Sequence, residues 1–388
     1  MSVEVVPSIA CNLKCSYCYQ DPMRLAGNFG AGRVQLDKVI PAIKRALEGS
    51  TKDRVFTVFG GEPLLIPRLT LERLWGFGLQ EYGRNSVQTN GELIDDDFIR
   101  LFSKYKVTVG LSIDGPWPLN EARSDEEGTK KSIDNLNKLF TSGNIPSLHI
   151  ILNRHNASRE RLPILIDWIK EVGQKLSEIR IHLMEVDTEK GSGVALKDWE
   201  NETAFLALAN IKTKAQLQPF LDMRRLLSCE DLNKVGCTWN ACDPYTTPAV
   251  QGVDGDGTQS NCGRTNKDGV AYRKATTSGR ERLLSLHVTS FEAGGCKDCR
   301  YFFACKGQCP GEGIDGDWRN RSIHCRSYYR VFEVLETEVG ILSDTKIKER
   351  EHQVLGTNRF TSAHGDQHGD IPHSDRFVLH VPVVGVKK

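Results

Sequence analysis

The sequence feature that most constrains this chain is a cluster of three cysteines close to its start. Cys11, Cys15 and Cys18 follow one another in the pattern Cys-x3-Cys-x2-Cys. Three thiolates are one ligand short of a closed zinc site, and on an iron–sulfur cubane they leave one iron with open coordination positions. The spacing by itself leaves three alternatives: a cluster with an open iron, a zinc site completed from elsewhere, or incidental cysteines.

Composition indicates a globular chain and excludes several kinds of partner. The chain has 388 residues, of which 39% are hydrophobic and 26% charged, enough for two or more cores of ordinary size. A formal net charge of +1 provides no broad attraction for nucleic acid or for an anionic membrane surface. No stretch approaches the roughly 18 apolar residues of a membrane helix. We therefore expect neither a nucleic-acid partner nor membrane association.

The distribution of the twelve cysteines indicates two metal-bearing regions on either side of a long body. Three lie before residue 20, none lies between residues 19 and 228, and nine lie between residues 229 and 325. Because no signal peptide precedes the first cysteine, we expect a cytoplasmic, thiol-preserving setting. In that setting clustered cysteines favour metal binding or catalysis over disulfides.

The cysteine-free body alternates between strand and helix patterns. Between its strands, apolar residues recur three and four positions apart, as amphipathic helices require. Six such units predict an α/β fold with a parallel sheet wrapped by helices, and because a full barrel has eight strands we expect a partial (β/α)6 TIM-like barrel. The six β-rich runs begin near Val3, Arg54, Asn85, Lys106, Pro146 and Ile179.

Polar or glycine-rich residues follow several of these strands, where such folds place their chemistry. The segment Gly60-Gly61-Glu62 combines two glycines, which permit close approach to the backbone, with a carboxylate that can meet an ammonium group. Later strands end near Ser112 and at Asn153. Since parallel strands end on one rim, these residues predict a pocket beside the first cysteine cluster.

The cysteine motif, with Tyr17 before its third cysteine, and the Gly-Gly-Glu-Pro segment together resemble the radical S-adenosylmethionine (radical SAM) family over about residues 1–185. The resemblance implies that Cys11, Cys15 and Cys18 hold a 4Fe–4S cluster whose open iron is chelated by S-adenosylmethionine. Cleavage of that cofactor yields a 5′-deoxyadenosyl radical, which abstracts a substrate hydrogen atom. The cofactor-contacting residues implied by the resemblance are Tyr17, Gly60, Gly61, Glu62, Ser112, Arg123 and Asn153.

The later cysteines resemble the SPASM extension of such enzymes, over about residues 237–326, which carries two auxiliary 4Fe–4S clusters. The resemblance implies that the first auxiliary cluster takes Cys237, Cys242, Cys262 and Cys309. It implies that the second takes Cys296, Cys299, Cys305 and Cys325. Cys229 then remains as an inert thiol and is the alternative to Cys237; if neither bound, the first auxiliary cluster would have an open iron.

Closed auxiliary clusters favour electron transfer, so the resemblance implies a net oxidation of a peptide or protein, such as a thioether or carbon–carbon crosslink. Three alternatives remain: a small-molecule dehydrogenase, an anaerobic sulfatase-maturing (formylglycine-forming) enzyme, and a non-catalytic zinc-binding interaction protein. In the sulfatase-maturing branch an aspartate base follows the cysteine at the position of Cys262, whereas this sequence has Gly263.

Two further partners are implied by the resemblance. An external one-electron donor of the flavodoxin or ferredoxin kind would supply the electron that cleaves the cofactor. Many peptide-modifying members carry an N-terminal leader-binding domain, but this chain enters its first strand by residue 3. We therefore expect that any leader peptide is recognised by a separate protein or by another surface of this chain.

We expect five segments along the chain: a barrel over 1–185, a helical bridge over 186–236, the cysteine-rich domain over 237–326, a helix over 327–345 and a tail over 346–388. Within the bridge we predict two helices, Leu196 to Asn210 and Lys212 to Leu227. The tail contains a repeated His-Gly-Asp unit beginning at His364. This composition is typical of a solvated segment, and its imidazole and carboxylate groups also suit a divalent metal or a substrate.

Overall fold

The strands predicted from the sequence are present as one mainly parallel sheet. The computed structural model describes residues 2–25, 34–48, 55–186, 189–230, 235–244, 250–260, 262–266 and 280–339. Its strands are β1 Ser2–Val6, β2 Phe56–Val58, β3 Asn85–Thr89, β4 Val107–Ser112, β5 Ser147–Leu152, β6 Glu178–Leu183, β7 Gln216–Gln218, β8 Val250–Asp254 and β9 Gln259–Ser260. Their order across the sheet is β7-β6-β5-β4-β3-β2-β1-β8-β9, and only the β8–β9 pair is antiparallel.

Helices connect the strands and cover one face of the sheet. They are α1 Asp21–Leu25, α2 Leu36–Leu47, α3 Arg68–Tyr82, α4 Asp96–Lys104, α5 Glu126–Thr141, α6 Arg154–Ala157, α7 Leu162–Val172, α8 Glu189–Val194, α9 Asp198–Ala209, α10 Phe220–Leu227, α11 Gly263–Asn266, α12 Glu281–Val288, α13 Phe302–Cys305 and α14 Cys325–Val339. Short 3-10 turns lie at Pro63–Leu65, Cys237–Asn240, Pro310–Glu312 and Ile314–Gly316. The six parallel strands β1 to β6, each followed by a helix, confirm the predicted α/β partial barrel.

Strand alternation decides which side chains face the inside of the barrel. Val3 and Val5 of β1 are fully buried in the hydrophobic core shared with the covering helices. Because successive side chains of a strand point to opposite faces, Glu4 between them points to the interior of the barrel. The same reasoning places His149 of β5 and His182 of β6 on the interior face, since their neighbours along each strand are buried in the core.

The cysteine-rich region contributes two strands to the sheet of the barrel. β8 pairs in parallel with β1, with Gly252 opposite Glu4, and β9 returns beside β8. Cys262 lies two residues after β9, which ends level with Glu4 in the middle of β1, so this pairing brings it beside β1. The sequence patterns did not predict either strand, and the pairing brings together two regions more than 200 residues apart in the chain.

The helix α14 packs against both the barrel side and the cysteine-rich region. Tyr328 packs edge-on against Phe205 of α9 at a ring distance of 5.3 Å and against Trp239 at 6.0 Å. Val331 and Leu335 of the same face are fully buried, so an apolar stripe of α14 faces the core. The predicted helix over 327–345 is therefore present from Cys325 to Val339, while residues 340–345 and the tail with its His-Gly-Asp repeat lie outside the described residues.

One predicted helix is wrong in its first half. The stretch from Lys212 to Leu227 was expected to be helical throughout, but it contains strand β7 and then α10, which begins at Phe220. Pro219 explains the difference, because the residue before a proline is biased towards extended backbone. The preceding helix of the bridge, α9, lies within its predicted range. Within the described ranges, no helix has both the length and the apolar character needed to cross a membrane.

Candidate functional site

The loop that follows β1 holds the first three cysteines in a fixed turn. The backbone N–H of Cys18 donates to the carbonyl of Cys15 at 3.1 Å, and Ser16 N–H donates to Ala122 O at 2.7 Å. Burial raises the pKa of Cys15 to about 12, Arg123 opposes the rise, and Cys18 and Cys11 add to it. The three thiols are therefore close enough to interact electrostatically.

These three thiols are soft donors of the kind that iron–sulfur clusters use. Among the described residues, no group of three or more His, Cys, Asp or Glu side chains is arranged to hold a single metal ion. Arg24 of α1, which the sequence did not single out, donates to Cys18 Sγ at 3.1 Å and is suited to stabilise a thiolate there.

The two glycines at the end of β2 face the chain just before the cysteines. A Cβ on Gly60 would lie 2.3 Å from Ser8 O, and one on Gly61 would lie 2.1 Å from Ala10 O. Only glycine permits this approach, and Gly60 also has a φ of +136°, which favours glycine. These side-chain positions are thus filled by the protein's own backbone, so both glycines position the cysteine loop; whether their backbone also meets a cofactor stays a prediction.

Glu62 is buried and ties two strand ends together. Its carboxylate accepts hydrogen bonds from Leu64 N at 2.9 Å, Thr89 Oγ1 at 2.7 Å and Asn90 N at 2.8 Å. Burial raises its pKa, and these three hydrogen bonds oppose the rise. A carboxylate offers about four acceptor positions. Glu62 can therefore accept about one more hydrogen bond, which is enough for an ammonium group.

Asp114, after β4, connects three of the predicted pocket residues. Its side chain is fully buried and accepts the hydroxyl of Tyr17, Arg123 Nη2 at 3.2 Å, Asn153 Nδ2 at 3.4 Å and Ile151 N at 2.9 Å. Burial lowers the pKa of Arg123, but Asp114 and Tyr17 outweigh it and leave that pKa raised. The guanidinium therefore stays charged beneath the cysteine loop.

The remaining predicted pocket residue, Ser112, lies on the interior face of β4 and accepts from Gln88 Nε2 at 2.7 Å. Sequence reasoning located the strand end near Ser112 but gave no role to Asp114, two residues farther on. It also passed over Asn12, which accepts from Asn90 Nδ2 and donates to Glu92, both at 2.9 Å. The available signal was polarity at three strand ends, which does not reveal which side chains pair.

Cys18 and Cys262 face a common interior region. Tyr19 has both thiols among its electrostatic neighbours, together with Glu4. Gly263 is in contact with the same tyrosine, since a Cβ there would lie 2.7 Å from Tyr19 Oη. Glu4 accepts a hydrogen bond from the backbone N–H of Gly263, and burial raises the pKa of its carboxyl group. The two cysteine regions therefore meet around one buried carboxylate and one phenol.

Two stacked imidazoles line the same interior, and the guanidinium of Arg180 lies near them. The rings of His149 and His182 lie 5.8 Å apart with an angle of 18°. Burial lowers the pKa of His149 to about 3, with Arg180 and Arg123 adding to the effect, and burial also lowers the pKa of His182. Both imidazoles are therefore neutral near pH 7 and can donate or accept hydrogen bonds to a bound molecule.

Some of the later cysteines lie close to one another. Burial raises the pKa of Cys237 to about 12, and Cys242 and Cys262 add to the rise. Burial also raises the pKa of Cys309, and Cys262 adds to that rise. Cys229 lies in the turn after α10, with a φ of 56°. The assignment of Cys237, Cys242, Cys262 and Cys309 to one auxiliary cluster, and the choice of Cys237 over Cys229, stay predictions.

The cysteines assigned to the second auxiliary cluster surround a cavity. The side chains of Tyr301, Phe302, Tyr329 and Phe332 form much of its wall. Burial raises the pKa of Cys296 to about 12, and Cys325 and Cys299 add to the rise. Four thiols around one enclosed space form a donor set that suits a four-iron cluster. The thiols in the wall are Cys296, Cys299, Cys305 and Cys325.

Comparison with known proteins gives three findings on sequence. The model of the radical SAM superfamily matches residues 5–184. A cysteine-type anaerobic sulfatase-maturating enzyme of Clostridium perfringens is 34% identical over 360 residues, which cover 84% of this chain and 93% of that protein. A serine-type enzyme of the same description from Klebsiella aerogenes is 34% identical over 123 residues, which cover 30% of this chain and 29% of that protein.

Solved structures share the fold. Native anSMEcpe with bound AdoMet superposes with a TM-score of 0.68 and 22% identity, covering 87% of this chain and 97% of that one. Streptococcus suis SuiB bound to S-adenosylmethionine superposes with a TM-score of 0.55 and 16% identity, covering 84% and 77%. At these identities the structures establish the architecture, which extends through the cysteine-rich region.

Proposed function

This chain belongs to the radical SAM superfamily, in the branch that includes the anaerobic sulfatase-maturating enzymes, and on that basis we propose that it oxidises a side chain of a peptide or protein substrate. The superfamily assignment makes it an enzyme that uses S-adenosylmethionine and a 4Fe–4S cluster. The observation that carries the finer proposal is the contact of Gly263, which follows Cys262, with Tyr19, which follows Cys18. A substrate held there lies between the site of radical formation and an electron acceptor.

We assign the cofactors to the residues described above. Cys11, Cys15 and Cys18 would hold the first cluster, with Glu62 and the Asp114 network shaping the cofactor pocket. When bound, this cluster and S-adenosylmethionine supply a 5′-deoxyadenosyl radical, which takes a hydrogen atom from the substrate. The two groups of four later cysteines would hold two auxiliary clusters. Because four thiolates close a cluster to substrate, their contribution is electron transfer.

To complete the oxidation, a residue of the protein must accept a proton from the substrate. After loss of its hydrogen atom, the substrate must still give up one electron and one proton to become a closed-shell product. An auxiliary cluster is the electron acceptor in our proposal, and Glu4 is the proton acceptor, since it lies beside Gly263 in the interior. A Glu4→Gln variant should cleave S-adenosylmethionine but form little oxidised product.

Formylglycine formation from cysteine or serine is the first candidate reaction. Its support is the 34% identity to a cysteine-type sulfatase-maturating enzyme over nearly the whole of that protein. Gly263 argues against the use of the same catalytic base, because an aspartate side chain at this position would displace Tyr19. Glu4 offers a carboxylate in the same place and can replace the missing base.

A thioether or carbon–carbon crosslink in a peptide is the second candidate. It is favoured by the same replacement of the expected aspartate by Gly263, which marks a departure from the sulfatase-maturing pattern. Both reactions need a reductant for the first cluster, and we propose a flavodoxin- or ferredoxin-like donor. If the crosslink applies, a separate leader-binding protein is expected to deliver the peptide.

Mass spectrometry of treated peptides distinguishes the candidates. The anaerobically reconstituted full chain is incubated with S-adenosylmethionine, a reductant, and cysteine- or serine-containing peptides, including those encoded beside its gene. A product that reacts with a hydrazide contains the aldehyde of formylglycine. A product that is lighter by two hydrogens and inert to hydrazide contains a crosslink. Sustained cofactor cleavage without either product on any peptide would contradict the proposal and favour a small-molecule substrate.

A further inference from the structure

A buried arginine with an unused hydrogen-bond donor lies in the wall of the second cysteine cavity. Arg321 is 8% exposed and lines this cavity together with all four thiols. Its Nη1 donates to Phe291 O at 2.5 Å and to Gly295 O at 3.1 Å. Its Nε is buried and has no hydrogen-bond partner among the residues that the structure describes. A buried donor without a partner is unfavourable, so this one calls for an acceptor that a bound group would supply.

A second buried arginine nearby, Arg282, has a purely structural role. Arg282 is 1% exposed and donates from Nε to Trp318 O at 2.7 Å. Its two terminal nitrogens donate to four further backbone carbonyls. All five N–H donors of this guanidinium are therefore used by loops of the protein. Arg321 lies four residues before Cys325. Its Nη1 donates to backbone carbonyls of the neighbouring loop, whereas its Nε has no partner among the described residues.

The charge of Arg321 already acts on the thiols of the cavity. Burial raises the pKa of Cys325, and the charge of Arg321 opposes that rise. It opposes the raised pKa of Cys299 and of Cys296 in the same direction. The guanidinium therefore stabilises negative charge on sulfur at this position.

We propose that Arg321 donates a hydrogen bond from Nε to a sulfur of an iron–sulfur cluster in this cavity and thereby raises the reduction potential of that cluster. The inference rests on the proposed function in one respect, namely that the four cysteines hold a cluster. Reduction adds one electron, and a nearby cation with a hydrogen bond stabilises the reduced form more than the oxidised form. The second auxiliary cluster becomes a favourable acceptor for the electron that the substrate radical gives up.

A redox titration followed by electron paramagnetic resonance tests the proposal. The full chain is reconstituted as wild type, R321Q, R321K and, as a matched control, R319Q. Arg319 is exposed and pairs with Asp317 at 2.6 Å, so R319Q removes the same charge two residues away without touching the cavity. The signal of the second auxiliary cluster is identified by its loss in C305A.

We expect R321Q to lower the reduced-to-oxidised ratio of this cluster about tenfold at fixed potential, which corresponds to about 59 mV for one electron. R321K keeps the charge but loses Nε, and should show a smaller shift in the same direction. R319Q should match the wild type. Unchanged potentials in both Arg321 variants, with their iron content intact, would overturn the proposal.

A measurement on the wild type decides the case if the Arg321 variants lose the cluster. Chain labelled with 15N-arginine should show a hyperfine coupling of 15N to the reduced second cluster. A wild-type chain that holds this cluster without such a coupling contradicts the role of Arg321 alone. A wild-type chain in which these four cysteines bind no iron contradicts the proposed function as well.

Discussion

The first cysteine loop and the second cysteine cavity hold their thiols in opposite ways. In the first, three thiols lie on a loop at the barrel rim, where Glu62 and Asp114 hydrogen-bond the neighbouring strand ends. Arg24 and Arg123 also lie beside this loop, and Arg123 is paired with Asp114. In the second, four thiols enclose a cavity with aromatic walls and a buried cation, Arg321. The rim site can admit and release a molecule, whereas the cavity is suited to a permanent group that exchanges only electrons.

The strongest test of this difference between the two sites is to remove one thiol from each. Cys15→Ala should reduce S-adenosylmethionine cleavage to the uncatalysed background, because the open iron is lost with the first cluster. Cys305→Ala should keep cleavage within about tenfold of the wild type but abolish oxidation of the substrate. The measurement is chromatographic quantification of 5′-deoxyadenosine and of product. Equal losses of S-adenosylmethionine cleavage in both variants would contradict the assignment of cofactor cleavage to the first site and electron transfer to the second.

The second prediction concerns the carboxylate network of the rim. Asp114→Asn leaves the buried guanidinium of Arg123 without its counter-charge, which should lower the free energy of unfolding by about 3–5 kcal/mol. Asp97→Asn is the matched control, since Asp97 pairs on the surface with Arg68 at 2.6 Å and should cost less than about 1 kcal/mol. Chemical denaturation of the apoprotein measures both. Similar losses for the two variants would contradict the role given to Asp114.

The third prediction concerns the binding of an exchangeable cofactor at the rim. Glu62→Gln should weaken S-adenosylmethionine binding roughly 10- to 100-fold, because a hydrogen bond to a charged group contributes about 1.5–3 kcal/mol. Glu72→Gln, on the outer helix α3, removes a carboxylate that bonds Lys104 and Tyr105 and should leave binding unchanged. Equilibrium binding on the reconstituted chain measures the effect. Unaltered affinity in Glu62→Gln would limit this residue to a structural role.

The smallest expected effect is a difference in pH dependence between the sites. Burial raises the pKa of Cys15 and of Cys296 to about 12, so both thiols stay protonated in the empty protein at neutral pH. A cluster binds thiolates, so its assembly must release those protons, and iron retention should increase as pH rises. With four thiols against three, the cavity should show the steeper dependence. Iron retained against a chelator across neutral pH checks this, and equal slopes would contradict it.

Much of the fold was predictable because its signals are local. Alternation of apolar residues located β1 to β6, and the helical stripe through Val331 and Leu335 located α14. Strands β8 and β9 were missed because they are short and their partner, β1, lies far away in the chain. The helix expected from Lys212 failed at Pro219, where a local backbone preference overrode the pattern.

The candidate site was predictable as a set of ligands and only partly as a set of contacts. The spacing of the cysteines was enough to indicate the superfamily, and the second metal-bearing region that it predicts stays a prediction. It did not show that the glycines at 60 and 61 make room for the cysteine loop, or that Tyr17 and Asn153 meet at Asp114. Those roles depend on which strand ends become neighbours.

By itself the sequence determined the thiol chemistry, the order of the strands along the chain and the superfamily, since spacing and periodicity belong to short stretches. Only the tertiary structure decided that β8 pairs with β1, that Cys262 and Cys18 share one interior region, and that Arg321 keeps a donor free beside four thiols. The physical reason is that a buried polar group must find its partner in space. Whether it finds one depends on residues hundreds of positions away.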